Sequence, residues 1–176
     1  MSQDIISSKY IYQGRAVNLR VDTVTKPNGK TAIREIVEHA DCVAVVPVDD
    51  KNNILLVRQY RDAVGKHLLE IPAGGIDPGE ESADAVLREL QEEIGFMPDT
   101  ITGMGGVYSA PGYCTEYLYL YIATDLKPSR LEAEDTAGIE VVATPVAEIA
   151  TLIASGEICD AKSVAGLLRF LYLKQQ

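Results

Sequence analysis

Residues 74–96, GGIDPGEESADAVLRELQEEIGF, begin with a glycine-rich turn and end on a glycine ahead of an aromatic residue. The intervening segment reads as a helix over Ser82–Ile94, with Gly95 where a left-handed C-terminal cap belongs. On that helix Glu89, Glu92 and Glu93 stand at i, i+3 and i+4. At roughly 100° per residue they share about a third of the circumference. Ala83, Leu87, Leu90 and Ile94 fall on another face, suited to a core. Two readings of the acidic face stand open. It is a solvated surface balanced by basic neighbours, or it is a ligand set for a hard divalent cation, which takes oxygen donors. Arg88 within the acidic patch and the close backbone approach allowed by Gly74, Gly75 and Gly79 favour the second. So does a further acidic segment at Glu132, Glu134 and Asp135.

Working outward, residues 67–73 read as a strand that delivers the chain into the glycine turn. Val43–Val48 and Ile54–Val57 are short apolar runs joined by Asp49-Asp50-Lys51-Asn52-Asn53, a hairpin signal, and they read as central strands. Beyond the helix, residues 100–108, 116–124 and 139–143 read as strands and Leu126–Gly138 as an acidic loop. Pro145–Ser155 reads as a helix stopped by Gly156, and 161–174 as a final helix capped by Asp160. Upstream, the alternation of residues 4–25 and 32–38 around Pro27-Asn28-Gly29 predicts a small antiparallel sheet. Such a sheet is too thin to bury both faces alone and calls for a partner surface. The expected organisation is an N-terminal β subdomain over 1–38 and an α/β sandwich around a mixed sheet over 39–176.

Composition sets the limits. The chain has 176 residues, 47% hydrophobic and 24% charged, with a net charge of −10. That balance argues against nucleic acid or an anionic membrane as partner. A phosphorylated small molecule stays open, because a bound cation inverts the local sign. Cys42, Cys114 and Cys159 are too scattered for a disulfide framework or a zinc cluster, and they read as reduced thiols of a cytoplasmic protein. No apolar run approaches the about 18 residues of a membrane span. The first ten residues, MSQDIISSKY, lack the basic and apolar regions of a signal peptide.

Gly74, five residues, Glu80, seven residues, then Arg88-Glu89-Leu90-Gln91-Glu92-Glu93-Ile94-Gly95-Phe96 resembles the Nudix signature at every fixed position. Only the final slot departs, with aromatic Phe96 where the signature has an aliphatic residue. The resemblance implies a Nudix α/β/α sandwich and an enzyme that splits a nucleoside diphosphate linked to another moiety. It implies Mg²⁺, with Mn²⁺ as a substitute, held by Glu89, Glu92, Glu93 and the carbonyl of Ala73. Glu92 and Glu93 then belong to the catalytic set, while Gly74, Glu80, Arg88 and Gly95 brace the turn and helix. Chemically, the metal would neutralise the diphosphate and acidify a water, and the protein would contribute positioning and charge.

Away from that stretch, Leu68–Gly74, Arg34–His39, Arg58–Arg61, Asp160–Ser163 and Pro111 resemble the ADP-ribose pyrophosphatases within the family. That likeness implies ADP-ribose or a related nucleoside diphosphate sugar as substrate, cut to AMP and ribose 5-phosphate. It also implies a homodimer that exchanges the N-terminal sheet. Arg34, Arg61, Glu70 and Glu116 are the implied substrate contacts. Two departures stand out. The acidic loop offers Asp135 or Glu134 as general base, and Ala137 occupies a second position that is acidic in that group. Arg15-Ala16-Val17 stands where some members stack an aromatic on adenine, leaving Tyr12 or Arg15 for that role. Two alternatives remain: a hydrolase of GDP-mannose or a broad range of nucleotide sugars, and a catalytically weak domain that binds a nucleotide as a sensor.

Overall fold

The computed structural model describes residues 4–133 and 136–176. The chain divides into two compact units, Met1–Asp41 with Tyr108–Tyr117, and Cys42–Val107 with Leu118–Gln176.

In the first unit, β1 (Asp4–Gln13), β2 (Asn18–Thr25) and β3 (Thr31–Glu38) form an antiparallel sheet in that order. The hairpin between β2 and β3 turns at Gly29, with φ +75°, the left-handed conformation the Asn-Gly pair predicts. Arg20 and Asp22, two residues apart on β2, project to the same face and pair at 3.0 Å. Asp22 is 1% exposed and also accepts from the Ser8 hydroxyl at 2.6 Å. The Ser8 bond, followed by Arg20, outweighs burial and holds its carboxyl below the usual range. A strap from later in the chain completes the unit. Val37 donates its N–H to the Tyr113 carbonyl at 2.7 Å and accepts from Thr115 N–H at 3.0 Å. Strand β1 remains exposed along its whole length, including Ile5, Ile6, Tyr10, Ile11 and Tyr12.

The second unit is built on β4 (Cys42–Pro47), which is buried throughout. Its continuous apolar run covers both faces of a central strand. Ala44 and Val46 point into a core with Leu167 and Phe170 of helix α3 (Ala161–Leu173). Val43 and Val45 point into another with Ala85, Val86, Leu90 and Ile94, from α1 (Ser82–Glu93) and its C-cap. Each fully buried Val, Leu or Ile contributes about 1.5–3 kcal/mol. Helices on both faces of a mixed sheet give the α/β/α sandwich the strand pattern predicts. The close approach of α3 depends on Gly166, where an added Cβ would meet Ile71 Cδ1 at 2.9 Å.

There are two sheets in this unit rather than one. Strand β4 pairs antiparallel with β7 (Ala73–Gly75) and parallel with β9 (Tyr117–Pro128), which is flanked by β8 (Phe96–Tyr108). A separate antiparallel sheet has the order β10 (Glu140–Pro145), β5 (Asn53–Arg61), β6 (Lys66–Glu70). The single strand expected at 67–73 therefore breaks at Ile71-Pro72 and changes sheet. Pro72 has no N–H to give a ladder, and its carbonyl instead accepts from Val45 N–H at 2.9 Å. Pro145 ends β10 rather than opening a helix. A 3-10 turn (Val146–Glu148) follows, then α2 (Ile149–Ser155), which closes at Gly156 with φ +80°.

Candidate active site

The sheet change at Ile71-Pro72 lays Ala73-Gly74 beside α1. Ala73 N–H donates to Glu93 Oε2 at 3.0 Å. Gly74 leaves no room for a side chain, since an added Cβ would lie 1.9 Å from Glu89 Oε1. The helix carboxylates are thus packed against backbone. Glu89 is 8% exposed and Glu93 6%. This corrects the expected division of the helix. The buried stripe is Ala85, Val86, Glu89, Leu90 and Glu93, so it is turned toward the glutamates, and Ala83 and Leu87 are only partly covered.

Arg88 organises the surrounding carboxylates. Its Nε donates to Glu80 Oε1 and Nη2 to Glu80 Oε2, both at 2.9 Å. Nη1 donates to Glu89 Oε1 at 2.6 Å, and Nη2 also reaches the Gly75 carbonyl at 2.7 Å. Glu92 Oε2 lies at 3.4 Å from Nη1. Glu80 in turn accepts from Asp77 N–H at 2.9 Å, which closes the turn. Gly79 and Gly95, with φ +85° and +76°, mark the two ends of this loop–helix unit.

Electrostatics separate these acids. The Arg88 bonds hold the Glu80 carboxyl below its usual range, and those bonds keep Arg88 firmly protonated. Burial pushes Glu89 up, against the pull of Arg88. Burial, with the charge of Glu89, pushes Glu93 up to about 8, against the Ala73 N–H and the charges of Arg61 and Lys162. Two adjoining buried carboxyls that resist ionisation are short of positive charge. A divalent cation would supply it, and carboxylate oxygens such as those of Glu89, Glu92 and Glu93 are the donors such an ion takes. The residues present therefore fit the group.

A second cluster lies in the same unit. Glu70, 1% exposed, accepts from Arg61 Nε at 3.0 Å and from Nη2 at 2.6 Å, a bidentate pair. Its Oε2 also accepts from Lys162 Nζ, which donates to Asp160 Oδ2 at 2.9 Å. Burial alone would raise the Glu70 carboxyl, but the Arg61 bonds and the Lys162 charge overcome it and hold it below the usual range. Asp160 caps α3 by accepting from Ser163 N–H at 3.1 Å, and Ser163 Oγ accepts from Ile71 N–H at 2.9 Å.

The structure thus brings together Ala73, Gly74, Glu80, Arg88, Glu89, Glu92 and Glu93, and it joins Arg61 to Glu70. Arg34 and Glu116 lie in the first unit. There Arg34 Nη1 donates to the Ile33 carbonyl at 3.0 Å, and Glu116 Oε1 stands 3.7 Å from His39 Nδ1. Glu134 and Asp135, the expected bases, lie outside the described residues. Sequence marks Asp160 as the cap of α3 and Asp160–Ser163 as a family resemblance, but it assigns Lys162 no role. Its signal was a cap residue two positions before a lysine, which does not reveal a buried glutamate about ninety positions upstream.

Buried carboxylates on a helix against a glycine turn, within an α/β/α sandwich, form a candidate site for a hard cation. Comparison with known proteins sharpens that reading. A profile described as NUDIX domain matches residues 38–166, and one described as nucleoside diphosphate sugar hydrolase N-terminal domain matches residues 4–37. The chain is 33% identical to an ADP-ribose pyrophosphatase of Bacillus subtilis (strain 168), over 99% of this chain and 95% of that protein. It is 38% identical to an ADP-ribose pyrophosphatase of Mycobacterium tuberculosis (strain ATCC 25618 / H37Rv), over 94% and 81%. A crystal structure of an ADP compounds hydrolase superposes with a TM-score of 0.91 at 26% identity, covering 100% of this chain and 96% of the other. The chain belongs to the Nudix hydrolase family, as the stretch at 74–96 implied. Members of that family generally use divalent metal ions.

Proposed function

We propose that this Nudix hydrolase cleaves the diphosphate linkage of ADP-ribose, or of a related nucleoside diphosphate sugar, in a Mg²⁺-dependent reaction, giving AMP and ribose 5-phosphate from ADP-ribose. The observation that carries this reading is the packing of Glu89 and Glu93 against Ala73-Gly74, with Glu92 beside them at Arg88. The names of the two bacterial relatives support the choice of substrate. When bound, a divalent ion supplies charge against the diphosphate oxygens and acidifies the attacking water. Glu89, Glu92, Glu93 and the Ala73 carbonyl would hold it, and Mn²⁺ offers the same charge and donor preference. Arg88 fixes the Glu89 carboxylate through one guanidinium edge while clamping Glu80 and the Gly75 carbonyl. Ala73 N–H fixes one Glu93 oxygen. Arg61, 39% exposed and locked to Glu70, directs a cation toward an anionic ligand. Arg34 and Glu116 are assigned to substrate contacts, and Glu134 or Asp135 to the water, by family resemblance.

The same reading makes the protein a cytoplasmic homodimer that exchanges its N-terminal sheet. What supports the dimer is β1, whose Ile5, Ile6, Tyr10, Ile11 and Tyr12 are all exposed. Among the described residues no helix is long and apolar enough to cross a membrane. The test of function is a hydrolysis panel with Mg²⁺ over ADP-ribose, GDP-mannose, UDP-glucose, dinucleoside polyphosphates and NADH, with products identified. ADP-ribose turned over fastest supports the proposal. Comparable rates on all point to a broad nucleotide-sugar hydrolase, and binding without hydrolysis points to a sensor.

A further inference from the structure

Glu70 is a buried carboxylate shared by two cations from distant parts of the chain. Arg61, from the end of β5, takes both oxygens, and Lys162, from the first turn of α3, shares Oε2. A salt bridge needed only for stability is complete with the bidentate arginine. The added lysine brings a second positive charge and is itself only 14% exposed. Asp160 holds that lysine from the other side at 2.9 Å while capping α3. Ser163 Oγ accepts from Ile71 N–H at 2.9 Å, so the start of α3 is fastened to the residue after Glu70.

This arrangement leaves Arg61 in a defined pose. With Nε and Nη2 committed to Glu70, Nη1 has no hydrogen-bond partner among the described residues, and the side chain is 39% exposed. A planar guanidinium fixed along one edge presents the other as a pre-aimed donor for a phosphate oxygen. The cluster lies close enough to the helix acids for the charges of Arg61 and Lys162 both to act on Glu93.

We propose that Lys162 is a positioning residue for diphosphate binding. It neutralises and fixes Glu70, so that Glu70 aims the free edge of Arg61 at a phosphate of the substrate without cancelling the positive field there. Without Lys162, Glu70 is answered by Arg61 alone, and the two carboxylates Glu70 and Asp160 outnumber the cation. Arg61 then loses both its fixed pose and its attraction for the anion. This inference rests on the proposed diphosphate hydrolysis and adds to it a residue in α3 with a stated task.

The test compares wild type, Lys162→Met, Lys162→Arg, Arg61→Met and the Arg61→Met/Lys162→Met double variant. KM and kcat for ADP-ribose with Mg²⁺ are measured beside thermal melting. Lys162→Met is expected to raise KM about tenfold, as for loss of one charge-assisted contact, with kcat changed much less. Lys162→Arg, which keeps the charge, should recover most of that loss. In the Arg61→Met background, Lys162→Met should add little to KM, because the lysine acts through the arginine. A purely structural lysine gives a lower melting temperature with unchanged KM, and that result overturns the proposal. Equal KM effects of Lys162→Met with and without Arg61 also overturn it. No turnover by wild type sinks the functional reading and this inference together. An active wild type with an unmoved Lys162→Met KM sinks the inference alone.

Discussion

Gly74 and Glu89 show what single residues decide here. The glycine has an ordinary backbone conformation, so its requirement comes from space and not from φ. A Cβ would lie 1.9 Å from Glu89 Oε1, and Gly74→Ala must displace that carboxylate. The variant should fold, and it should weaken metal binding by about 10- to 100-fold, the usual cost of misplacing a ligand's support. The dependence of hydrolysis rate on Mg²⁺ concentration reads this out; an unshifted midpoint would remove Glu89 from the ligand set. The same residues mark what sequence could reveal. Spacing alone put Glu89, Glu92 and Glu93 on one face, and the structure keeps them together. Spacing did not show that Glu89 and Glu93 are buried, because hydrophobic patterning assigns carboxylates to solvent. Leu90 and Ile94 are buried as expected, but the rest of the stripe is Ala85, Val86, Glu89 and Glu93, with Ala83 and Leu87 only partly covered.

At the scale of elements, the junction of β6, β7 and α3 holds the second cluster in place. Ile71 is fully buried, and its N–H finds its partner in Ser163 Oγ, at 2.9 Å. Ser163→Ala leaves that donor unpaired and should cost about 1–3 kcal/mol in urea unfolding. A loss within experimental error would mean that the bond contributes nothing net. The helices and most strands were legible, since Gly95, Gly156 and Asp160 act as the stop and start signals they resemble. The break in the strand at Ile71-Pro72 was not. Apolar residues run through it without interruption, and the change of sheet appears only when Glu70 is seen opposite Val57 and Ala73 opposite Ala44. The strap at Tyr113–Thr115 was equally hidden, because its hydrogen bonds to Val37 join parts of the chain that no local pattern connects.

For the whole molecule, two properties follow. The Arg61 bonds and the Lys162 charge hold Glu70 below the ordinary carboxyl value, so its stabilising contribution is complete above that ordinary value and is lost as pH falls through the lower folded one. The stability gap between wild type and Glu70→Gln should be widest near neutrality and should close only in acid, below the ordinary carboxylate range. A gap that stays constant from neutral to acid pH would show that Glu70 does not carry an ionised pair. The proposed exchange of the N-terminal sheet predicts a dimer mass at micromolar protein concentration, and a monomer there refutes it. The α/β/α architecture was readable from the order of apolar strands and amphipathic helices, and β4 bears that out with a helix on each face.

Initial rates of ADP-ribose hydrolysis against Mg²⁺ concentration, for wild type and Glu93→Gln with folding checked by circular dichroism, test the assignment of the helix carboxylates most directly. The expected result is AMP and ribose 5-phosphate formed only with the metal present, and turnover reduced by orders of magnitude in Glu93→Gln. Metal-independent turnover, or near wild-type turnover by Glu93→Gln at saturating Mg²⁺, would contradict it.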